Sequence, residues 1–176
     1  MNIVRNIVVP FLLGGAIAAC SSGSDNDSVF RYISVIDNTH IAVHAHSAAD
    51  AIVTASGELS IAGKSVAVTP IQQDLLKRYF DGVISLRKDA IATGKAGVGT
   101  AEQAIGSVIA GIASGNADKI GTDVDAQAAK VDAAAAMVCK DLAAIHTTQD
   151  AIADQLPAFQ PYAQIGARQV SDCTRG

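Results

Sequence analysis

Aromatic side chains are scarce in this chain: its 176 residues include four Phe, three Tyr and no Trp. A core with so few rings must be filled by Val, Ile, Leu and Ala, and it is thin, because aromatic residues bury the most area per side chain. Glutamate is nearly missing, with Glu58 and Glu102 standing against fifteen aspartates. Basic residues are few and scattered, and the formal net charge is −4. A mildly acidic chain of this kind is a poor ligand for nucleic acid, so no nucleic-acid partner is expected. Catalytic motifs are missing as well. There is no Gly-x-Ser-x-Gly elbow and no zinc-protease helix motif. The run Gly94-Lys95-Ala96-Gly97-Val98-Gly99-Thr100 lacks the Gly-Lys-Thr ending of a phosphate loop and follows a helical pattern instead of a strand, which excludes that mode of nucleotide binding. No pair of carboxylates is marked out for glycoside hydrolysis.

What the chain does have begins at its N-terminus. Met1 to Asn6 carries one charged side chain, Arg5, and Ile7 to Ala18 is apolar and uncharged. Twelve such positions, interrupted by Pro10 and by Gly14-Gly15, are too few to span a bilayer, which takes about 20 helical residues. The stretch ends in Ile17-Ala18-Ala19-Cys20. An aliphatic residue, two small residues and a cysteine resemble the bacterial lipobox. Residues 1–19 then read as a signal peptide, and Cys20 as the lipidated N-terminus of the processed chain. A thiolate is the nucleophile such a transfer needs, and each buried methylene of the acyl chains contributes about 0.8 kcal/mol to anchoring. Ser21, rather than Asp, follows the cysteine, and by resemblance to enterobacterial lipoproteins this implies an outer-membrane anchor with the body facing the periplasm. Residues 20–29 make a polar tether, Ser-Ser-Gly-Ser-Asp-Asn-Asp-Ser-Val after the cysteine, with nothing to bury and no basic cluster.

Cleavage before Cys20 leaves 157 residues, enough for one domain with a modest core. In an oxidising compartment Cys139 and Cys173 are the pair left to bridge. A loop of that size is worth about 3.5–4 kcal/mol in the chain-entropy account.

The body, residues 30–176, reads as α+β: a small antiparallel sheet over about 30–68, then an Ala-rich helical part over about 70–156, with a tail from 161 to 176. Arg31–Ile36, Thr39–His46, Ala51–Thr54, Glu58–Ile61 and Ser65–Val68 have strand character, and Ala62-Gly63-Lys64 marks a hairpin. Thr69, Pro70 and Gln72 have the spacing of a helix N-terminus with a capping box. Ile71, Leu75, Tyr79, Val83, Leu86 and Ala90 form one apolar face of a helix ending near Thr93. Asp74 and Arg78 pair one turn apart, and the helix's other charges read as a solvated face. Gly94–Thr100 should break the helix. A second, small-residue helix is expected over Ala101–Gly115, its Gly111 and Gly115 spaced for close packing. A third is expected from Thr122 to Leu156, with a weak point at His146-Thr147-Thr148. Val124, Val131, Val138, Ile145 and Ile152 recur every seven residues, and Ala128, Ala135, Leu142, Gln149 and Leu156 recur four behind them. These two rows form a seam for an antiparallel helix of the same chain. A monomer is expected, with a homodimer through that seam as the alternative.

Two patches resemble a known family. Gly57-Glu58-Leu59-Ser60-Ile61-Ala62-Gly63-Lys64-Ser65-Val66, followed closely by Gln72-Gln73, and Leu156-Pro157-Ala158-Phe159-Gln160-Pro161-Tyr162-Ala163, together with Cys139, are similar to the YggN-like periplasmic proteins of unknown function. The resemblance covers roughly Phe30 to Ile165. It implies an envelope address and a β-then-α layout, and it brings no catalytic residues.

The sequence therefore leads to a lipid-anchored, non-enzymatic protein that binds or supports another envelope component. Two alternatives accompany it. His40, His44 and His46 fall on one face of a predicted strand, and histidines two apart can share zinc or copper. An enzyme with an unrecognised carboxylate site is the other.

Overall fold

The computed structural model describes residues 31–114 and 117–175, and the side chains among them except those of 96–124 and 127. The signal peptide, Cys20 and the tether lie outside these residues. The fold is α+β, with a five-stranded antiparallel sheet followed by helices. The strands are β1 (Ile33–Val35), β2 (His40–Val43), β3 (Ala51–Thr54), β4 (Leu59–Ile61) and β5 (Lys64–Val66), paired in sequence order as a meander. β3 matches its β-prone stretch, and the other four are shorter than theirs, because pairing stops where a turn begins.

Period-two alternation sets the two faces of the sheet. Ile33, Ile41, Val43, Ala51, Val53 and Leu59 are buried on the inner face, in registers that place Ile33 opposite Val43 and Ile41 opposite Val53. The turns follow from local chemistry. Between β1 and β2, one Asp37 carboxylate oxygen accepts the Thr39 backbone N–H and the Thr39 hydroxyl, both at 2.7 Å. Between β4 and β5, Ala62 and Gly63 both have positive φ (52° and 73°), the pair of left-handed residues a two-residue hairpin demands. Between β3 and β4, Gly57 has φ +79° and lies against a helix; a Cβ there would stand 2.3 Å from the Gln73 carbonyl oxygen.

The first helix, α1, runs from Pro70 to Ser114. Its N-terminus forms the expected capping box: the Gln72 N–H donates to Thr69 Oγ1 at 3.3 Å and the Thr69 N–H to Gln72 Oε1 at 2.9 Å. The predicted break at Gly94–Thr100 does not occur, and the helix continues through it. Three glycines weaken a helix by about 1 kcal/mol each, but an interruption leaves four carbonyls and four N–H groups without helical partners and requires a second nucleation. The separate Ala101–Gly115 helix is thus the distal part of α1. The second helix, α2, spans Ala117–Gln155 and begins five residues before the expected Thr122. It is also unbroken at His146–Thr148. There the hydroxyls of Thr147 and Thr148 donate back to the carbonyls of Ala143 and Ala144 at 3.0 and 2.8 Å and stay within the helix.

The two helices form an antiparallel hairpin. Gln72 Nε2 at the start of α1 donates to the Gln155 carbonyl at the end of α2, 2.7 Å away, and Gly82 gives room for Ile145, whose Cγ1 lies 3.0 Å from where a Cβ would be. The core lies between this hairpin and the sheet: Leu76, Tyr79, Phe80, Val83 and Leu86 from α1, and Leu142, Ile145, Ile152 and Leu156 from α2. Ile71, placed on the apolar face by its spacing, is 66 % exposed. Opposite it α2 has already ended, and Leu76 and Phe80 take its place in the core. The predicted seam is buried only in its C-terminal half. Val131 and Val138 are half-buried, Ala128 and Ala135 are exposed, and the side chain of Val124 lies outside those described.

The predicted tail is structured. Pro157–Tyr162 is a 3-10 turn, and α3 covers Ala167–Arg175. Phe159 and Tyr162 are buried, and Phe159 meets Tyr79 edge to face with ring centroids 5.6 Å apart. Gln149 points at this segment rather than at a helix. Its amide donates to the Ile165 carbonyl at 3.0 Å and accepts the Ile165 N–H at 3.1 Å. A disulfide joins Cys139 of α2 to Cys173 of α3, with Cα atoms 5.5 Å apart.

Candidate functional site

The three histidines of the predicted metal face are not brought together. His40 opens β2, and its Nδ1 lies 2.8 Å from Thr39 Oγ1 and 3.1 Å from Asp37 Oδ1. His44 follows the end of β2. Four residues along a strand amount to about 13 Å, too far for His40 and His44 to share an ion. His46 lies beyond the strand and packs against Tyr32, ring centroids 5.8 Å apart. His146 sits on α2 beside Asp150. Among the described residues no three His, Cys, Asp or Glu side chains gather to hold a metal ion. The spacing of the histidines gave a common face but not a common point on it.

His44 instead joins a hydrogen-bonded chain across the outer face of the sheet. Its Nε2 is 2.8 Å from Ser34 Oγ, and its Nδ1 is 2.8 Å from Asp50 Oδ1. The register makes this juxtaposition: Ser34 faces Ala42 and Val43 faces Ala51, so Ser34 and Asp50 flank His44 from either side. Both ring nitrogens are engaged, which fixes the ring's orientation. The order of groups is that of a serine nucleophile, its base and an orienting carboxylate. Its surroundings differ from a hydrolase's. Asp50 is 59 % exposed, and ladder bonds from His44 N–H to the Tyr32 carbonyl and from Ile36 N–H to the His40 carbonyl put Ser34 N–H in the sheet's own ladder. That amide is not available to an oxyanion. Beside His44 lies an open cavity of about 300 Å³ lined by Arg31, Tyr32, His44, Ala45 and His46.

A larger open groove, about 370 Å³, lies where α1 passes the β1–β2 turn. Ile84, Lys88, Ile91, Ala92 and Lys95 occupy one stripe of the helix, Arg87 borders it, and Asn38 of the turn closes the other side. Ile91 is 48 % exposed. None of Arg87, Lys88 and Lys95 has an ion-pair partner among the described residues, whereas Arg78, about two and a half turns before Arg87, is bound to Asp74 at 2.7 Å. An apolar floor edged by three cations with no ion-pair partner among the described residues is chemically a receptor for an anionic amphiphile. By spacing alone these charges read as a solvated face. Lysine alternating with isoleucine at helical spacing was visible there, but the neighbouring Asn38 turn depends on how sheet and helix pack.

Two buried polar atoms belong to neither place: Tyr79 Oη and Asp141 Oδ2 have no hydrogen-bond partner among the described residues. Burial pushes the Tyr79 phenol well above its ordinary range. Tyr162 is also raised, by burial first and by the Asp50 charge second, while its hydroxyl donates to the Ala49 carbonyl.

No family model matches this chain, and neither a curated protein nor a solved structure matches it.

Proposed function

We propose that the chain is an outer-membrane-anchored periplasmic lipoprotein whose folded body binds another envelope component without catalysing a reaction. The run Ile17-Ala18-Ala19-Cys20 carries this reading. The bond between Cys139 and Cys173 is consistent with it, since such bridges persist in oxidising compartments, and it leaves Cys20 as the one cysteine not spoken for. Among the described residues no helix is long and apolar enough to cross a membrane. Kinship with the YggN-like proteins is part of the same proposal and rests on the two sequence patches. The body acts as a monomer, the C-terminal half of its seam being buried within the chain.

Intact-mass analysis of protein extracted from membranes tests the anchor. A chain starting at Cys20 and carrying thioether-linked and amide-linked acyl groups is expected, with incorporation of labelled fatty acid abolished by Cys20→Ala. An unmodified N-terminus in the membrane fraction would overturn the reading.

A second reading rests on Ser34, His44 and Asp50, which in this geometry could accept an acyl group. A fluorophosphonate probe decides between the two. The binding reading expects no labelling that Ser34→Ala removes, because the Ser34 N–H is occupied and Asp50 is bathed in water. Labelling lost in both Ser34→Ala and His44→Ala would establish a hydrolase instead.

A further inference from the structure

We propose that the groove formed by α1 and the β1–β2 turn is a docking surface for anionic phospholipid headgroups of the bilayer, with Arg87, Lys88 and Lys95 on the phosphates and Ile84, Ile91 and Ala92 against the upper acyl chains. This deepens the reading of a membrane-anchored body and rests on it.

Charge complementarity argues for this occupant. The chain as a whole is acidic, at −4, and its tether offers no basic residue to an anionic surface. Three cations nevertheless stand together on one face, without carboxylate partners among the described residues. Elsewhere on the same helix, and on α3, arginine is neutralised by aspartate, at 2.7 Å for Arg78 and 2.5 Å for Arg175. The floor explains why the anion should carry hydrocarbon. Ile91 is a large apolar side chain half in water, and Ala92 beside it is exposed. A soluble phosphate has no use for either.

Size and position point to the bilayer rather than to an extracted lipid. A volume of about 370 Å³ is at the small end for a ligand pocket. It is open, and it admits a headgroup and the first methylenes, not two complete acyl chains. The groove is also within the anchor's range: Asn38 lies five residues beyond Ile33, where the sheet begins, and the ten residues 21–30 span at most about 35 Å when extended. Tethering then makes a weak surface contact effectively intramolecular. Each cation near an anionic surface is worth about five-fold in affinity, so the three together give a modest contact by themselves, which the mooring then strengthens.

The test uses the polypeptide from Ser21 onward, which keeps every residue of the described body and removes the acyl anchor from the measurement. It is sedimented with vesicles of phosphatidylethanolamine and phosphatidylglycerol, and with vesicles of phosphatidylcholine alone. Binding to the anionic vesicles only is expected, weakening steeply with salt. Replacing Arg87, Lys88 and Lys95 together by Gln should reduce it about a hundred-fold, and Ile91→Ser roughly three- to five-fold. Both variants should keep the parent's circular dichroism and melting temperature, because the residues are at the surface. A charge-matched control, Lys64, Lys77 and Lys140 to Gln, should lose far less. Three results overturn the proposal: no binding to the anionic vesicles, equal loss in the control, or competition by free glycerol phosphate at the concentration of headgroup phosphate. Failure of the acylation test above with vesicle binding intact would remove the anchor and leave the groove, so the two failures are distinguishable.

Discussion

Gly57 and Gln149 show how much of this fold hangs on single positions. Gly57 combines a left-handed backbone with contact against α1, so Gly57→Ala should destabilise the protein by about 2–4 kcal/mol, from strain and overpacking together. Urea unfolding measures this, and a change below 1 kcal/mol would mean that the β3–β4 turn and α1 are not in contact. Gln149→Leu removes both partners of the buried Ile165 amide and carbonyl and should cost about 2–3 kcal/mol. Asp37 gives a pH signature. The Thr39 hydroxyl chiefly, then the Thr39 N–H and His40, hold its carboxyl down to about 2. A lowered folded-state value means that the turn's contribution is complete above the usual carboxylate range near 3.8 and fades as pH falls towards 2. NMR titration should place the Asp37 midpoint near 2, and Thr39→Ala should return it towards its ordinary value. Gly57 stands in the sequence between the β-prone stretches Ala51–Thr54 and Glu58–Ile61, while its approach to Gln73 leaves no mark there, because close backbone contact is not written in composition. Gln149 stood in a predicted helical seam; that it pairs with backbone depends on the return of a segment the sequence left as tail.

At the scale of elements, local chemistry was the legible part. Thr69, Pro70 and Gln72 fixed the start of α1, and alternation fixed the inner face of the sheet, since both are decided within a few residues. The run of glycines at 94–100 misled because helix continuity is cooperative, and its outcome belongs to the whole segment and its partner. The consequence can be measured. Nothing lies within 4 Å of a Cβ added at Gly94, so Gly94→Ala should stabilise the helix by about 0.5–1 kcal/mol. A loop at that position would gain nothing. The histidines illustrate the same division. Their common face followed from period two, whereas the chain linking Ser34, His44 and Asp50 required the register of three strands, which only the folded sheet supplies.

For the whole molecule, the thin core makes the covalent closure important. Cys139 and Cys173 are 34 residues apart in sequence, and this loop contains the 3-10 turn whose Phe159 and Tyr162 complete the core. Reduction, or Cys139→Ser with Cys173→Ser, should lower stability by about 3–4 kcal/mol and lower the melting temperature by roughly 6–12 °C. This pairing was readable from the count of cysteines and the expected compartment. The layout of the hairpin was not. Among the described side chains, the last core residue on α1 is Leu86 and the first on α2 is Cys139. From Arg87 to Ser114 the helix has 28 more residues, about 42 Å of rise. A rod of that length on a small globule dominates its rotational drag. The radius within which this molecule meets its neighbours is therefore governed by the hairpin, and lengthening or shortening the leash at its N-terminus should matter far less than trimming whole heptads from α1 and α2 together.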